Sequence, residues 1–442
     1  MTELTEIDTL ERLAQQVLDR ARSAGATAAE TSLSDSHGLS VRARNGDVES
    51  LEFQRDRDLH LSVYIGQCSG SASTSDWSEA GVTAAVNAAC DIARATGEDP
   101  CNGLADAEHM ATEFPELELH HPWDLTPEQA IDLARRCEAA ALGLDPRIRQ
   151  SEDASVDTRG GEELYANTHG FMGLRRGSQH TIACGAIAVD GDDMQRDYDY
   201  AHTRVPGELP EPEAIGEAAA RQALARLGAT RPRTGRVPVL FRADVARGLL
   251  GHFVGAISGG ALYRRSSFLL DAIGESVFPD WMSLHQRPFI KRALGSAAFD
   301  QEGMATADRD LVVDGVLQGY LLGSYAARRL GMAPTGNAGG VFNLEPTANA
   351  GDLDAMIRDM GTGLLVTELM GQGVNTVTGD YSRGASGFWV ENGEIAGPVD
   401  EATVAGNLRD IYRGIVAVGS DTDLRGSIRS GSILIDGMTV AA

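Results

Sequence analysis

Residues 39 to 66 read LSVRARNGDVESLEFQRDRDLHLSVYIG. Apolar and polar side chains alternate around Asn45-Gly46, the period of strands whose two faces meet different surroundings. Asn followed by Gly tolerates the positive φ values of a two-residue turn, so the stretch predicts a hairpin that opens an antiparallel meander. Upstream, Leu10, Leu13, Ala14, Val17, Leu18 and Ala21 recur at helical spacing between Asp8 and Ala24, and Gly25 supplies a stop. Downstream, the Ala-rich WSEAGVTAAVNAACDIARAT predicts a second helix. Together these make a first α/β unit, residues 1–115.

A second α/β unit, 116–230, opens with HPWDLTPEQAIDLARRCEAAALG. Thr126 suits an N-cap, Pro127 the first helical position, and Gln129 completes a capping box. Alternating strands such as SQHTIACGAIAVDGDD follow, then the helix EPEAIGEAAARQALARLG, closed by Gly228. The Pro- and Arg-rich ATRPRTGRVP marks a boundary. From there to residue 442 glycine is densest, and Asp314-Gly315 and Asn392-Gly393 signal hairpins. This third unit, 231–442, is expected to be largely β with packed helices, which makes the fold class α+β.

With 64 acidic and 38 basic residues the formal charge is −26, the wrong sign for nonspecific binding to nucleic acid or anionic membrane. No apolar run approaches the roughly 20 residues of a spanning helix. The acidic, amphipathic start lacks the basic and apolar regions of a signal peptide, so a cytoplasmic protein is expected. Five cysteines without a C-x-x-C pair suggest neither a disulfide framework nor a thiolate zinc site, but reduced, mostly buried thiols.

Several stretches imitate functional motifs and fall short. His120 and His121 are adjacent, and neighbours on an extended segment point to opposite faces; the expected reading is a solvated strand end. Ser382 in GDYSRGASG has Asp380, not glycine, two residues before it, and lacks a strand-to-helix context. GTGLLVTELMGQG lacks the third glycine of a dinucleotide loop. DGDDMQRDYDYAH misplaces the glycine and terminal glutamate of a calcium loop and reads as a charged hairpin turn. In GLLGHFVGAISGG, 248–260, His252 stands alone on an apolar helix, where a histidine is usually packed with its ring nitrogens satisfied.

The hairpin segment, FDQEGMATADRDLVVDGVLQGYLLGSYAARRLGMAPTGNAGG, GDYSRGASGFWVENGEIAGPVDEATVAGNLRDI and GSDTDLRGSIRSGSILIDGM together resemble the TldD/PmbA family, in its PmbA (TldE) branch, over nearly the whole chain. In the TldD branch the zinc helix carries H-E-A-V-G-H and a cysteine near the carboxyl end supplies a third ligand. Aligning its V-G pair with Val254-Gly255 puts the ligand positions on Gly251 and Ala256 and the glutamate position on His252. No H-E-x-x-H or H-E-x-x-x-H occurs in the chain, and no cysteine follows Cys184. The resemblance therefore implies a chain with no catalytic residue, metal ligand or cofactor of its own, which pairs with a TldD-type catalytic subunit that holds zinc. Such assemblies act on unfolded or flexible peptides and trim modified peptide precursors.

Peptide contacts are expected from strand edges, whose main-chain hydrogen bonding accepts many sequences. The candidates are Gly336 and Asn337 in TGNAGG and Asp380, Tyr381 and Arg383 in DYSR. Without its partner the chain is expected to form a homodimer. Two rivals remain: a self-sufficient metallopeptidase drawing on His252, His285 and acidic residues, and an adaptor that modulates another protein, such as DNA gyrase or a toxin-antitoxin system.

Overall fold

The structure, a computed structural model, describes residues 5–442. The alternating stretch forms two long strands, β1 (Ala28–Arg44) and β2 (Asp47–Ile65), paired antiparallel from Ala28 opposite Tyr64 to Arg44 opposite Asp47. Asn45 and Gly46 turn between them at φ 53° and 80°. The strand β3 (Cys68–Thr74) continues the meander. Two helices, α1 (Ile7–Ser23) and α2 (Glu79–Ala95), bury Leu10, Val17 and Val86 against Leu33, Leu59 and Leu61 of the sheet.

The next segment builds α3 (Pro127–Leu144), β4 (Ile148–Asn167), β5 (Met172–Asp190), β6 (Asp193–Thr203) and α4 (Pro212–Ala225). Helix α3 starts with the capping box expected at Thr126 and Gln129, and Pro127 sits in its first turn. The acidic run turns at Gly191, between β5 and β6. The two α/β units do not carry separate sheets. Strand β1 pairs with β4 from Glu30 opposite Asn167 to Ala43 opposite Ala154, giving one six-stranded sheet ordered β3-β2-β1-β4-β5-β6. Both α3 and α4 pack as a second helical pair on small residues. At Gly216 a Cβ would lie 1.9 Å from the carbonyl oxygen of Cys137, so only glycine permits this approach.

Helix α3 also fixes the hairpin. The Glu138 carboxylate, 1% exposed, accepts hydrogen bonds from the amides of Asn45 at 2.6 Å and Gly46 at 2.7 Å and from the Ser151 hydroxyl. The turn's otherwise unpaired amides are thus matched by a buried anion on the helix packed below.

The third unit contains β7 (Gly235–Phe241), α5 (Ala243–Ala256), α6 (Gly259–Tyr263), β8 (Leu284–Gln286), β9 (Arg309–Val313), β10 (Val316–Leu317), α7 (Ser324–Leu330), β11 (Leu344–Pro346), α8 (Leu353–Met360), β12 (Gly363–Met370), β13 (Asp380–Glu391), β14 (Glu394–Asn407), α9 (Leu408–Arg413), β15 (Ile415–Val418) and β16 (Ile433–Ala441). Six strands run in the order β14-β13-β12-β7-β16-β15, and a further pairing between β14 and β16 closes a barrel. A small sheet, β10-β9-β8-β11, lies beside it. Both expected hairpins form, with positive φ at Asp314-Gly315 and Asn392-Gly393. One apolar core joins the barrel to α5 through Phe241, Leu249, Phe253, Val404 and Tyr412.

All five cysteines are unpaired, and Cys90, Cys137 and Cys184 are buried. Among the described residues no helix is long and apolar enough to cross a membrane. Replacing Glu138 by Ala strips the acceptor from two turn amides and a hydroxyl. The expected loss of stability is about 2–4 kcal/mol, read as a lower urea midpoint. An unchanged midpoint would show that the turn does not depend on this carboxylate.

Candidate functional site

Helix α5 follows β7 directly and presents His252 on a half-buried face. On β13 the pleat sends Tyr381 and Arg383 to one side and Asp380 and Ser382 to the other. The ring of Tyr381 meets His252 edge to face, centroids 6.0 Å apart at 73°. Burial pushes His252 below the ordinary histidine value, and the Arg383 cation adds to the effect. The Tyr381 hydroxyl is pushed up to about 12 by burial, with Arg383 pulling against that rise.

Three side chains that can donate hydrogen bonds therefore meet without a protein partner among the described residues. Tyr381 is 2% exposed, and its hydroxyl and Arg383 Nε are both buried without a hydrogen-bond partner. A buried donor left unmatched costs roughly 1–3 kcal/mol. The expectation that His252 would be packed with its ring nitrogens satisfied holds for the packing only, since those nitrogens make no protein hydrogen bond among the described residues.

The two ligand positions inferred for the helix diverge. Residues five apart lie about 140° apart around an α-helix. Ala256 is fully buried in the barrel core, whereas Gly251 is half-buried, and a Cβ there would reach only Ile428, 3.9 Å away. His285 sits on β8 with its Nδ1 2.7 Å from Asp310 Oδ1. Among the described residues no group of three or more His, Cys, Asp and Glu side chains is placed to hold a metal ion.

The peptide candidates separate into two places. Gly336, at φ +65°, leaves only 2.3 Å between a Cβ and the Ala305 carbonyl oxygen. Asn337 is 4% exposed; it donates to Gln286 Oε1 at 2.7 Å and to the Gly340 carbonyl at 2.8 Å, and accepts from Arg309 at 2.6 Å. That side chain is a core clamp for its own loop and not a surface group. Asp380 is exposed and accepts hydrogen bonds from Thr378 Oγ1 at 2.6 Å and Asn407 at 3.2 Å. With Tyr381 it lines a cleft of about 540 Å³ beside the 372–376 loop.

A larger cleft, about 850 Å³, lies between the N-terminal sheet, the extended segment 114–120 and residues 296–299. Arg175 closes one wall: it donates at 2.6 Å to the carbonyls of Phe299 and Asp300, with its guanidinium 4.4 Å from the Phe299 ring centroid. Arg204, 8% exposed, does the same with the carbonyls of Ala293 and Leu294 at 3.1 and 2.9 Å. His120 belongs to this cleft, which corrects its expected place at a solvated strand end. The segment is not a strand; it packs along the free edge of β5, where Ser178 N donates to the Leu119 carbonyl at 3.0 Å and the Ser178 hydroxyl accepts from His121 N at 2.8 Å. Burial, followed by Arg176, lowers His120. Nothing in the sequence singled out Arg175 or Arg204, since their partners are backbone carbonyls about 90 or more residues away.

Sheet, cleft and closed barrel define a mixed α+β protein whose barrel helix holds an imidazole but not a converging ligand set. Models of the PmbA/TldA metallopeptidase domain 1, central domain and C-terminal domain match residues 29–93, 120–227 and 234–442. The chain belongs to the PmbA/TldD family. Metalloprotease PmbA of Escherichia coli O157:H7 is 46% identical over 413 residues, 93% of this chain and 92% of that protein. A crystal structure from Bacteroides thetaiotaomicron, described as a proposed modulator of DNA gyrase, superposes with a TM-score of 0.94 at 28% identity, covering 98% of this chain and 99% of that one. TldE from Thermococcus kodakarensis shares the fold with a TM-score of 0.85 at 18% identity, over 97% and 100% of the two chains.

Five histidines, His37, His120, His180, His202 and His252, are held below their ordinary value by burial. Each stays neutral in the fold where the unfolded chain takes a proton, so stability is lost as pH falls through the ordinary value of 6.5 toward the depressed ones. Asp300 and Glu302, raised by burial, act in the opposite sense at lower pH. The urea midpoint should drop between pH of about 7.5 and about 5.5, and His252→Gln should show a smaller drop. Equal drops in parent and variant would exclude His252 from the effect.

Proposed function

We propose that the chain is the non-catalytic subunit of a zinc peptidase, assembled in the cytoplasm with a TldD-type chain that carries the metal. The single observation behind this reading is the helix α5. At its Gly251, His252 and Ala256 the resemblance would require two histidines and a glutamate, and the helix instead offers one imidazole packed against Tyr381 beside Arg383. A zinc peptidase needs about three protein ligands and a base for the metal-bound water. Family membership and the metalloprotease name of the E. coli relative support a role related to proteolysis.

In this reading the chain shapes the path of a peptide, and its partner cleaves it. The large cleft supports that part. Its walls mix arginine, carboxylate, hydroxyl and backbone groups with the Phe299 ring, a lining that can hydrogen-bond an extended chain without selecting one sequence. Unfolded or flexible peptides are the substrate class.

The purified chain should hold no stoichiometric zinc and cleave no flexible peptide alone, while a mixture with a TldD-type chain should cleave it. Metal analysis and a fluorogenic peptide assay, each with and without the partner, test this. About one zinc per chain, lost together with activity on chelation, would establish a self-sufficient peptidase instead.

A further inference from the structure

We propose that Arg383, Tyr381 and His252 form a binding site for a carboxylate, and that its occupant is the free C-terminus or an acidic side chain of a peptide. The site itself stands on the geometry of β13 and α5; naming a peptide as the carrier rests on the function proposed above.

Other buried or half-buried arginines among the described residues have at least one partner, although Arg175 Nε and Arg429 Nε and Nη1 are also without a hydrogen bond. Arg226 pairs with Glu368 at 2.6 Å and Arg242 with Asp244 at 2.8 Å. Arg204, Arg309 and Arg409 give their N–H groups to carbonyl or amide oxygens. Arg383 makes neither an ion pair nor a hydrogen bond among the described residues, and its Nε is buried. The adjacent Tyr381 hydroxyl is likewise unmatched. Arg383 is the charged group that acts on both His252 and Tyr381. Asp380, three residues from Arg383 and on the opposite face of the strand, is engaged by Thr378 and Asn407.

Every group in the cluster can donate, and Arg383 is a permanent cation, so the complement is an acceptor carrying negative charge. A planar guanidinium matches a carboxylate through two parallel hydrogen bonds. Tyr381 adds one O–H, and His252, kept neutral by burial, adds one N–H and no charge. One positive charge suits a monoanion; a phosphate dianion would bring a second charge with nothing to balance it. Tyr381 borders the 540 Å³ cleft, whose other walls are the 372–376 loop, Asp380 and Ser382.

The test uses the full chain and one flexible peptide, labelled at its N-terminus and made both as the free acid and as the C-terminal amide. By fluorescence anisotropy the acid should bind the parent roughly tenfold more tightly than the amide, a difference of about 1.4 kcal/mol. Arg383→Met should erase that difference, and Tyr381→Phe, which keeps the ring packing, should reduce it. Acetate alone should shift the His252 ring resonances of the parent and not those of the Arg383 variant. Equal binding of acid and amide, or a difference that survives Arg383→Met, overturns the peptide carboxylate as occupant while leaving peptide handling by the large cleft intact. An acetate response with no binding of either peptide keeps the carboxylate site and removes the peptide reading. No acetate response in a folded parent overturns the site.

Discussion

The antiparallel ladder between β1 and β4 is the join on which the rest of the molecule depends. It runs from Glu30 opposite Asn167 to Ala43 opposite Ala154, and it turns two sequence units into one six-stranded floor. Because side chains alternate along a strand, each residue of β1 commits to one of two faces. Leu33, Leu39 and Val41 face the helices, where α1 with α2 and α3 with α4 build two separate apolar clusters. Ser34 and Ser36 face the other way, into the large cleft.

Between the two apolar clusters the helix-covered face turns polar. Asp35, fully buried, lies opposite Glu162, 3% exposed, in the β1–β4 register. Two like charges side by side in a sheet repel each other unless each is matched. Asp35 is held by Arg55 and Arg57 at 3.1 and 3.3 Å, and Glu162 by Arg176. Burial works against ionisation of Asp35, and the hydrogen bonds from Arg55 and Thr5 more than offset it, so its carboxyl lies below the usual range. Neither helical pair covers this seam, and His37, His120 and His180 gather along it. The burial that lowers these histidines ties the fold's response to acid to the middle of the sheet.

In the barrel the same alternation produces the donor cluster. Strand β13 sends alternate side chains to one face, and at 381 and 383, beside His252 of α5, those are tyrosine and arginine. A polar face aimed at a helix is normally matched by that helix, but α5 answers with His252 among glycines and aliphatic residues. The imbalance is local and chemical, and it sets this corner apart from the carbonyl-matched arginines that tie the cleft together.

Much of the fold was legible because its signals are local. The Asn45-Gly46 turn, the Thr126 capping box, the Gly228 stop and the Asp314-Gly315 and Asn392-Gly393 hairpins each depend on a few neighbouring residues, and φ preference and capping chemistry act at that range. The absence of an H-E-x-x-x-H run is likewise a fact of the sequence. Less was legible in the candidate site. Tyr381 and Arg383 were named as peptide contacts from resemblance, but that they share a corner with His252 depends on which barrel strand packs against α5. Asn337, from the same kind of reasoning, became a core clamp because Gln286 and Arg309 approach it from other elements. The sequence by itself determined the elements, their turns and the absence of an H-E-x-x-x-H run. Only the tertiary structure decided that two units share one sheet, that Arg175 and Arg204 wall a cleft, and that Tyr381 and Arg383 meet His252 without protein hydrogen bonds among the described residues, because each of those rests on contacts between elements far apart in the chain.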